Sequence, residues 1–268
     1  MPRRVAIGDG SDLDGLKTAI ARAGRDPMGS PYLLVVAPND REEFSVVVDS
    51  GRYVIRDQPI PRIAPPLPTT EPGAAEKMVQ RLEHLVQYRN AWELHNDVDS
   101  SELRDTLAIS VVGKPTRAAG RVRLQPGEQV CIRVHNRSKR PALAVLFYFS
   151  PDWSITRIWP AGANAYEELK VTGDDGLEVF QATAQLPPGV LTSIERLKLF
   201  ATDKPTSFDT LMLESLEVVR RPPRSTEGNP LENLLADMGE GKATRELVPC
   251  PTVIGDWSTA ELELETAI

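Results

Sequence analysis

The residues of this 268-residue chain whose types could run nucleophilic chemistry are two cysteines and three histidines. Cys131 and His135 stand four apart in QVCIRVH, a stretch whose alternation reads as a strand. Period two puts both on one face, but a strand rises about 3.3 Å per residue, so they sit roughly 13 Å apart. A nucleophile and its base must lie within hydrogen-bond reach, so these two cannot act directly on each other. Cys131 is then expected to pack as a small hydrophobe. Cys250 lies in a loop between Pro249 and Pro251. Folding could bring it near His84, His95 or His135, and the sequence does not decide that point.

Other candidate constellations have simpler readings. GDGSDLDG, residues 8–15, looks like a calcium loop until its register is set. With Gly15 as the turn glycine, the first and twelfth ligand positions fall on Gly10 and Ala21, where an EF-hand needs carboxylates. The stretch also lacks the glycine and lysine spacings of nucleotide-binding loops. It reads as a helix start, where acids favour the dipole. Asp97-Val98-Asp99 and Asp174-Asp175 read as turns. Two cysteines are too few for a four-thiolate zinc site or a disulfide framework. No catalytic residue, metal or cofactor is therefore expected. The candidate interaction surface is Tyr148, Trp153, Arg157 and Trp159. These aromatics could line a glycan-type platform, but packing within a hairpin accounts for them too, and the place of Trp159 at a strand end before Pro160 favours packing.

Composition bounds the partners. Hydrophobic residues make up 41 % of the chain and charged residues 26 %, with a net charge of -7. An acidic balance disfavours general nucleic-acid binding, which rests on a basic footprint, and disfavours adhesion to anionic membranes. No apolar run approaches the roughly 18 residues that span a bilayer, and the first residues have no apolar core of signal-peptide length. The expectation is a cytoplasmic protein, with no nucleic acid and no membrane among its partners.

Two proline-rich breaks divide the chain. QPIPRIAPPLPTTEPG, residues 58–73, reads as an extended linker, neither helix nor central strand. RPPRSTEGNP, residues 221–230, is the second. Residues 1–57 read as a small α/β subdomain. It has a helix from Ser11 or Asp12 as cap to about Ala23, with Gly24 as its stop. A buried strand follows over Tyr32–Ala37, then a hairpin of Phe44–Val48 and Arg52–Arg56 across Asp49-Ser50-Gly51. Residues 74–98 hold an amphipathic helix with Met78, Leu82, Leu85 and Trp92 on one stripe and Val79 and Val86 beside it, wide enough to bridge two neighbours. Arg89 falls in that stripe, its stem packed and its guanidinium snorkelling or paired with an acid.

Period-two alternation dominates residues 103–220. Its inward faces are Leu107, Ile109 and Val111; Val130, Ile132 and Val134; Phe180, Ala182, Ala184 and Leu186; and Leu197, Leu199 and Ala201. Asn136–Pro160 forms a hairpin with a deeply buried first arm. Many short strands at this spacing predict an antiparallel β-sandwich of jelly-roll or immunoglobulin-like type. Leu211–Val219 fits either a short helix or a strand. Residues 231–268 add a short helix over Leu231–Met238 and a strand over Trp257–Glu265. That strand should return to the sandwich as an edge strand, with Glu261, Glu263 and Glu265 discouraging further pairing. The fold class is thus mainly β with an α+β N-terminal part.

Four segments carry a family resemblance: LEHLVQYRNAWELHN (82–96), QVCIRVHNRSKRPALAVLFYFSPDWSITRIWP (129–160), ERLKLFATDKPTSFDTL (195–211) and GDWSTAELELE (255–265). From about Ala74 onward the chain resembles the non-catalytic C-terminal region of microbial caspase-like proteins of the metacaspase or orthocaspase type. LLVVAPNDREEFSVVVDSGRYVIRD fits what precedes the helix in such proteins. Their protease activity rests on a His–Cys dyad in a catalytic domain, and neither its histidine motif nor its nucleophile signature is found in this chain. The resemblance therefore implies a non-enzymatic accessory or regulatory module acting through contacts with a protein partner, a caspase-like protease domain. The alternatives from other classes are a small-molecule or glycan-binding sandwich and a cryptic cysteine hydrolase built on Cys250.

Overall fold

A computed structural model describes residues 2–23, 29–38, 40–57, 65–96, 101–116, 120–187, 189–216, 235 and 255–268. The fold is mainly β, with two helices and several mixed or antiparallel sheets among the described residues. It divides into two compact units. One holds residues up to Ala91 with Leu216, and the other holds Trp92–Ser215, Leu235 and residues 255–268.

The first unit is built on β1 (Arg3–Ile7), α1 (Ser11–Arg22), β2 (Leu33–Val36), β3 (Phe44–Asp49), β4 (Arg52–Asp57), β5 (Leu67–Pro68) and α2 (Ala74–Glu93) up to Ala91, the last residues of α2 belonging to the other unit. The sheet order is β2-β1-β3-β4-β5, with β1 parallel to both β2 and β3. Leu13, Leu16, Ala19 and Ile20 form the buried stripe of α1, as their spacing predicts. Gly10 stands at the N-cap position, in place of the expected Ser11 or Asp12. The expected hairpin is present, and its two loop residues, Ser50 and Gly51, have φ of 50° and 70°. Two positive-φ residues in a two-residue loop match the right-handed twist of the strands they join.

Two expectations fail in this unit. The apolar run Tyr32–Ala37 is not a buried strand, because β2 lies at the sheet edge and leaves Leu34 and Val35 each 42 % exposed. The proline-rich stretch is not entirely linker either. Leu67 and Pro68 pair with Tyr53 and Arg52 as an edge strand, a position where a missing N–H can be tolerated. On α2, Arg89 takes the paired alternative: it is buried, 3.9 Å from Glu43 and with its guanidinium 4.4 Å from the Phe44 ring centre.

The second unit contains β6 (Leu107–Val111), β7 (Arg121–Leu124), β8 (Gln129–Asn136), β9 (Ala142–Phe149), β10 (Ile155–Trp159), β11 (Glu167–Leu169), β12 (Leu177–Thr183), β13 (Thr192–Thr202) and β14 (Trp257–Ala267). One sheet runs β10-β9-β13-β14-β7, with β11 also on β9, and the other runs β12-β8-β6. Alternate residues of both feed one hydrophobic cluster, including Ile109, Val111, Ile132, Val134, Leu146, Leu197, Leu199, Leu262 and Leu264. Phe180 and Ala182 pack against it only partly buried, because β12 is an edge strand. Of Leu211–Val219, Leu211 ends a single 3-10 turn, Asp209–Leu211, Leu213 bridges to Ile155, and residues 217–219 lie outside the described residues. The expected helix over Leu231–Met238 lies outside the described residues, apart from buried Leu235. Gly24 and Cys250 lie outside them as well.

The tail strand corrects the sequence reading most. β14 is not an edge. It pairs with β13 along its whole length, from Thr192↔Ala267 to Thr202↔Trp257, and with β7 in parallel over Glu263–Thr266. Its glutamates meet cations carried by those two neighbours.

Candidate functional site

On β8, Cys131, Arg133 and His135 alternate with core-facing Val130, Ile132 and Val134, so they share the outer face of the three-stranded sheet. The β6–β8 register sets Ser110 directly opposite Arg133. Residues opposite each other on an antiparallel ladder project to the same face, which brings Ser110 beside His135. Ser110 Oγ lies 2.7 Å from His135 Nε2. The imidazole, not the thiol, has therefore found a nucleophile-type partner, and that partner is a serine. Only the strand register shows this pair, because the two residues are far apart in sequence.

Burial pushes the His135 pKa below its ordinary value, with Arg137 and Arg133 acting the same way and the Gly173 backbone and Asp174 opposing. The ring is neutral at pH 7. Its Nδ1 is buried and makes no protein hydrogen bond of normal geometry. The Gly176 backbone lies flat against the ring, and a Cβ there would come 2.6 Å from His135 Cε1. Burial raises the Cys131 thiol, helped by a contact with Glu178 and opposed only weakly by Arg133. Cys131 is thus a thiol at neutral pH and a poor nucleophile. Arg133 holds Glu178 through Nε at 3.1 Å and Nη2 at 2.6 Å.

The aromatic hairpin is packed. Trp153, at φ 62° in the turn between β9 and β10, is 8 % exposed, and Trp159 is 7 % exposed within the shared cluster. Tyr148 packs against the same cluster, and burial together with Glu195 raises its phenol pKa. Arg157 is held by Asp209 at 2.7 Å and by the Gly162 carbonyl at 2.9 Å. Both indoles are thus largely withdrawn from solvent.

A charged ladder runs across the other face of β13 and β14. Arg121 binds Glu263 at 2.7 Å. Arg196 binds Glu263 at 2.9 Å and Glu261 at 2.8 Å, and its guanidinium lies 3.7 Å from the Trp92 ring centre. Lys198 Nζ, on a fully buried side chain, donates to Glu261 at 2.6 Å and to the Trp92 carbonyl at 2.7 Å. Desolvation brings the Lys198 pKa down to about 8, against the pull of Glu261. Burial would raise the Glu263 pKa, but hydrogen bonds from Arg196 and Arg121 hold it below the usual carboxylate range. An amine with so low a pKa could serve as a nucleophile. Lys198 is fully buried and hydrogen-bonded to two acceptors, so its work here is structural. The sequence hid it, because Lys198 alternates with Leu197 and Leu199 and so reads as a solvent-facing residue.

Among the described residues no group of three or more His, Cys, Asp or Glu is placed to hold a metal ion, and no helix is long and apolar enough to cross a membrane. No protein-family model, curated protein or solved structure matches the chain.

Proposed function

We propose that this chain is a non-catalytic accessory module of a caspase-like protease system, built as a β-sandwich and acting through contacts with the protease domain. One observation carries the reading: residues from all four segments of the family resemblance converge on one structural unit. Residues 129–160 supply β8, β9 and β10, residues 195–211 supply most of β13 and the turn after it, and residues 255–265 supply β14. From residues 82–96, Trp92 stacks on Arg196 and meets Phe149 edge-on at 5.8 Å, while Asn96 donates to the Trp257 carbonyl at 2.6 Å. The resembling residues are thus mutual packing partners. Such a set specifies a module, and a set gathered around a reactive centre would specify an enzyme. The two sheets sharing one cluster support the sandwich. The raised pKa of Cys131 disfavours a cysteine hydrolase on this face, Cys250 lies outside the described residues, and the burial of Trp153 and Trp159 disfavours a glycan platform.

The test mixes the purified chain with a caspase-type protease domain encoded beside it and follows cleavage of peptides with basic or acidic residues at the cleaved position. A changed rate, or co-elution of the two, supports the reading. Independent elution with no change in rate overturns it, as does peptide turnover by the chain alone that Cys131→Ala or Cys250→Ala abolishes.

A further inference from the structure

We propose that Ser110 is a nucleophilic serine activated by His135, and that this sheet face reacts with short acyl esters. The inference goes beyond the accessory-module reading, whose term non-catalytic then refers to proteolysis alone, and its test is separate from that of the protease contact. Ser110 is partly exposed, while its partner His135 is buried. The 2.7 Å separation of Oγ and Nε2 is that of a serine donating its proton to a base. In the tautomer with its proton on Nδ1, Nε2 is the acceptor the hydroxyl needs. Gly176 leaves no room for a Cβ beside the ring. Arg133, directly across the ladder from Ser110, spends Nε and Nη2 on Glu178. Its Nη1 makes no hydrogen bond among the described residues, and a guanidinium there is a donor for a developing oxyanion. Val112, two residues along from Ser110 and 39 % exposed, offers apolar surface to a short acyl chain.

The reaction balances without any further reagent. Ser110 Oγ bonds to the ester carbonyl carbon as its proton passes to Nε2, and the oxyanion forms beside Arg133. The bond from that carbon to the alcohol oxygen then breaks. The imidazolium returns its proton to the leaving alkoxide, giving acyl-Ser110 and the free alcohol. Water attacks the acyl-serine, His135 takes its proton and returns it to Oγ, and the carboxylic acid departs. A buried imidazole is a weak base, so the leaving group must be a good one, which selects esters over amides.

The experiment exposes the purified full chain to a fluorophosphonate, which forms an Oγ–P bond with loss of fluoride, and maps the modified residue by peptide mass spectrometry. Turnover of p-nitrophenyl acetate is measured in parallel. Modification is expected at Ser110, slowed at least tenfold by His135→Gln, with ester turnover abolished by Ser110→Ala. Circular dichroism checks that each variant is folded. If His135→Gln does not fold, the wild-type pH profile decides. Modification should reach a plateau with a midpoint below about 6.5, the ordinary histidine value, since the groups acting on the ring are Arg133, Arg137, Asp174 and the Gly173 backbone. The proposal is overturned if folded protein leaves Ser110 unmodified, if folded His135→Gln reacts at the wild-type rate, or if the rate climbs to pH 9 without a plateau.

Discussion

Lys198→Met should make the protein no less stable at pH 7, and the difference between variant and wild type should change with pH in a defined direction. The lysine is fully buried beside the Phe200 ring, with its ammonium 5.6 Å from the ring centre, and donates to Glu261 and the Trp92 carbonyl. Its pKa falls from 10.5 to about 8 in the fold, which corresponds to roughly 3 kcal/mol spent on carrying a desolvated charge. The sign follows from proton uptake. Between the folded and unfolded pKa values the unfolded chain binds the additional proton, so stability from this group rises with pH. From pH 8 to pH 10 the lysine alone should add about 2 kcal/mol to the stability of the wild type.

Other groups pull the opposite way in that range. Tyr148 and Cys131 have raised pKa values, so they keep protons that the unfolded chain has lost, and stability from them falls with alkalinity. Subtracting the Lys198→Met profile removes both. Methionine is flexible enough to fill the vacated space. The Trp92 carbonyl keeps Arg196 Nη1 at 3.3 Å, so the substitution does not strand it, and replacing a buried charge by an apolar group of similar volume is often neutral or stabilising. Urea unfolding of both proteins at pH 7, 8, 9 and 10 gives the comparison. A difference that stays flat across pH 8 to 10 would refute the argument, and so would a loss of more than about 2 kcal/mol at pH 7 in the variant.

The remaining predictions use the same two-sheet unit. Truncation at Pro251 removes β14, whose Trp257, Leu262 and Leu264 are buried and whose backbone pairs with β13 and β7; the cooperative melt of this unit should vanish, and a midpoint within a degree or two of the full chain would show the strand to be an appendage. Trp92→Ala removes the edge-on contact with Phe149 and the stack under Arg196, and should cost about 2–4 kcal/mol in chemical denaturation, somewhat less than a fully buried tryptophan. Gly176→Ala places a methyl against the His135 ring at a φ of 67° and should cost about 2 kcal/mol or more, whereas alanine at the open, positive-φ Gly127 should cost about half as much, as the melting temperatures will show. Stability should fall as pH drops below about 6.5, because the unfolded chain protonates His135 before the folded one does; His135→Gln should flatten that limb of the pH–stability curve.

What was legible in the sequence is what local periodicity controls. The buried stripe of α1, the Ser50-Gly51 hairpin and the inward residues of β6, β8 and β13 each follow from spacing alone. Pairing is a different kind of information. Glu261, Glu263 and Glu265 alternate with core leucines, a pattern that fits a solvated edge and fits equally well a central strand flanked by cations. The choice depends on Arg196, Lys198 and Arg121 lying in register with them, a relation spanning much of the chain. The same holds for Ser110, which is an unremarked strand serine until the β6–β8 register sets it across from Arg133 and next to His135. In both places the face that a two-period pattern leaves over as polar proves to be organised by cross-strand partners. On one face the result is a desolvated ion ladder under Trp92, and on the other a hydroxyl hydrogen-bonded to a buried imidazole. A strand's alternation reports which residues leave water. Its register decides which polar groups meet, and in this protein the candidate chemistry depends on register.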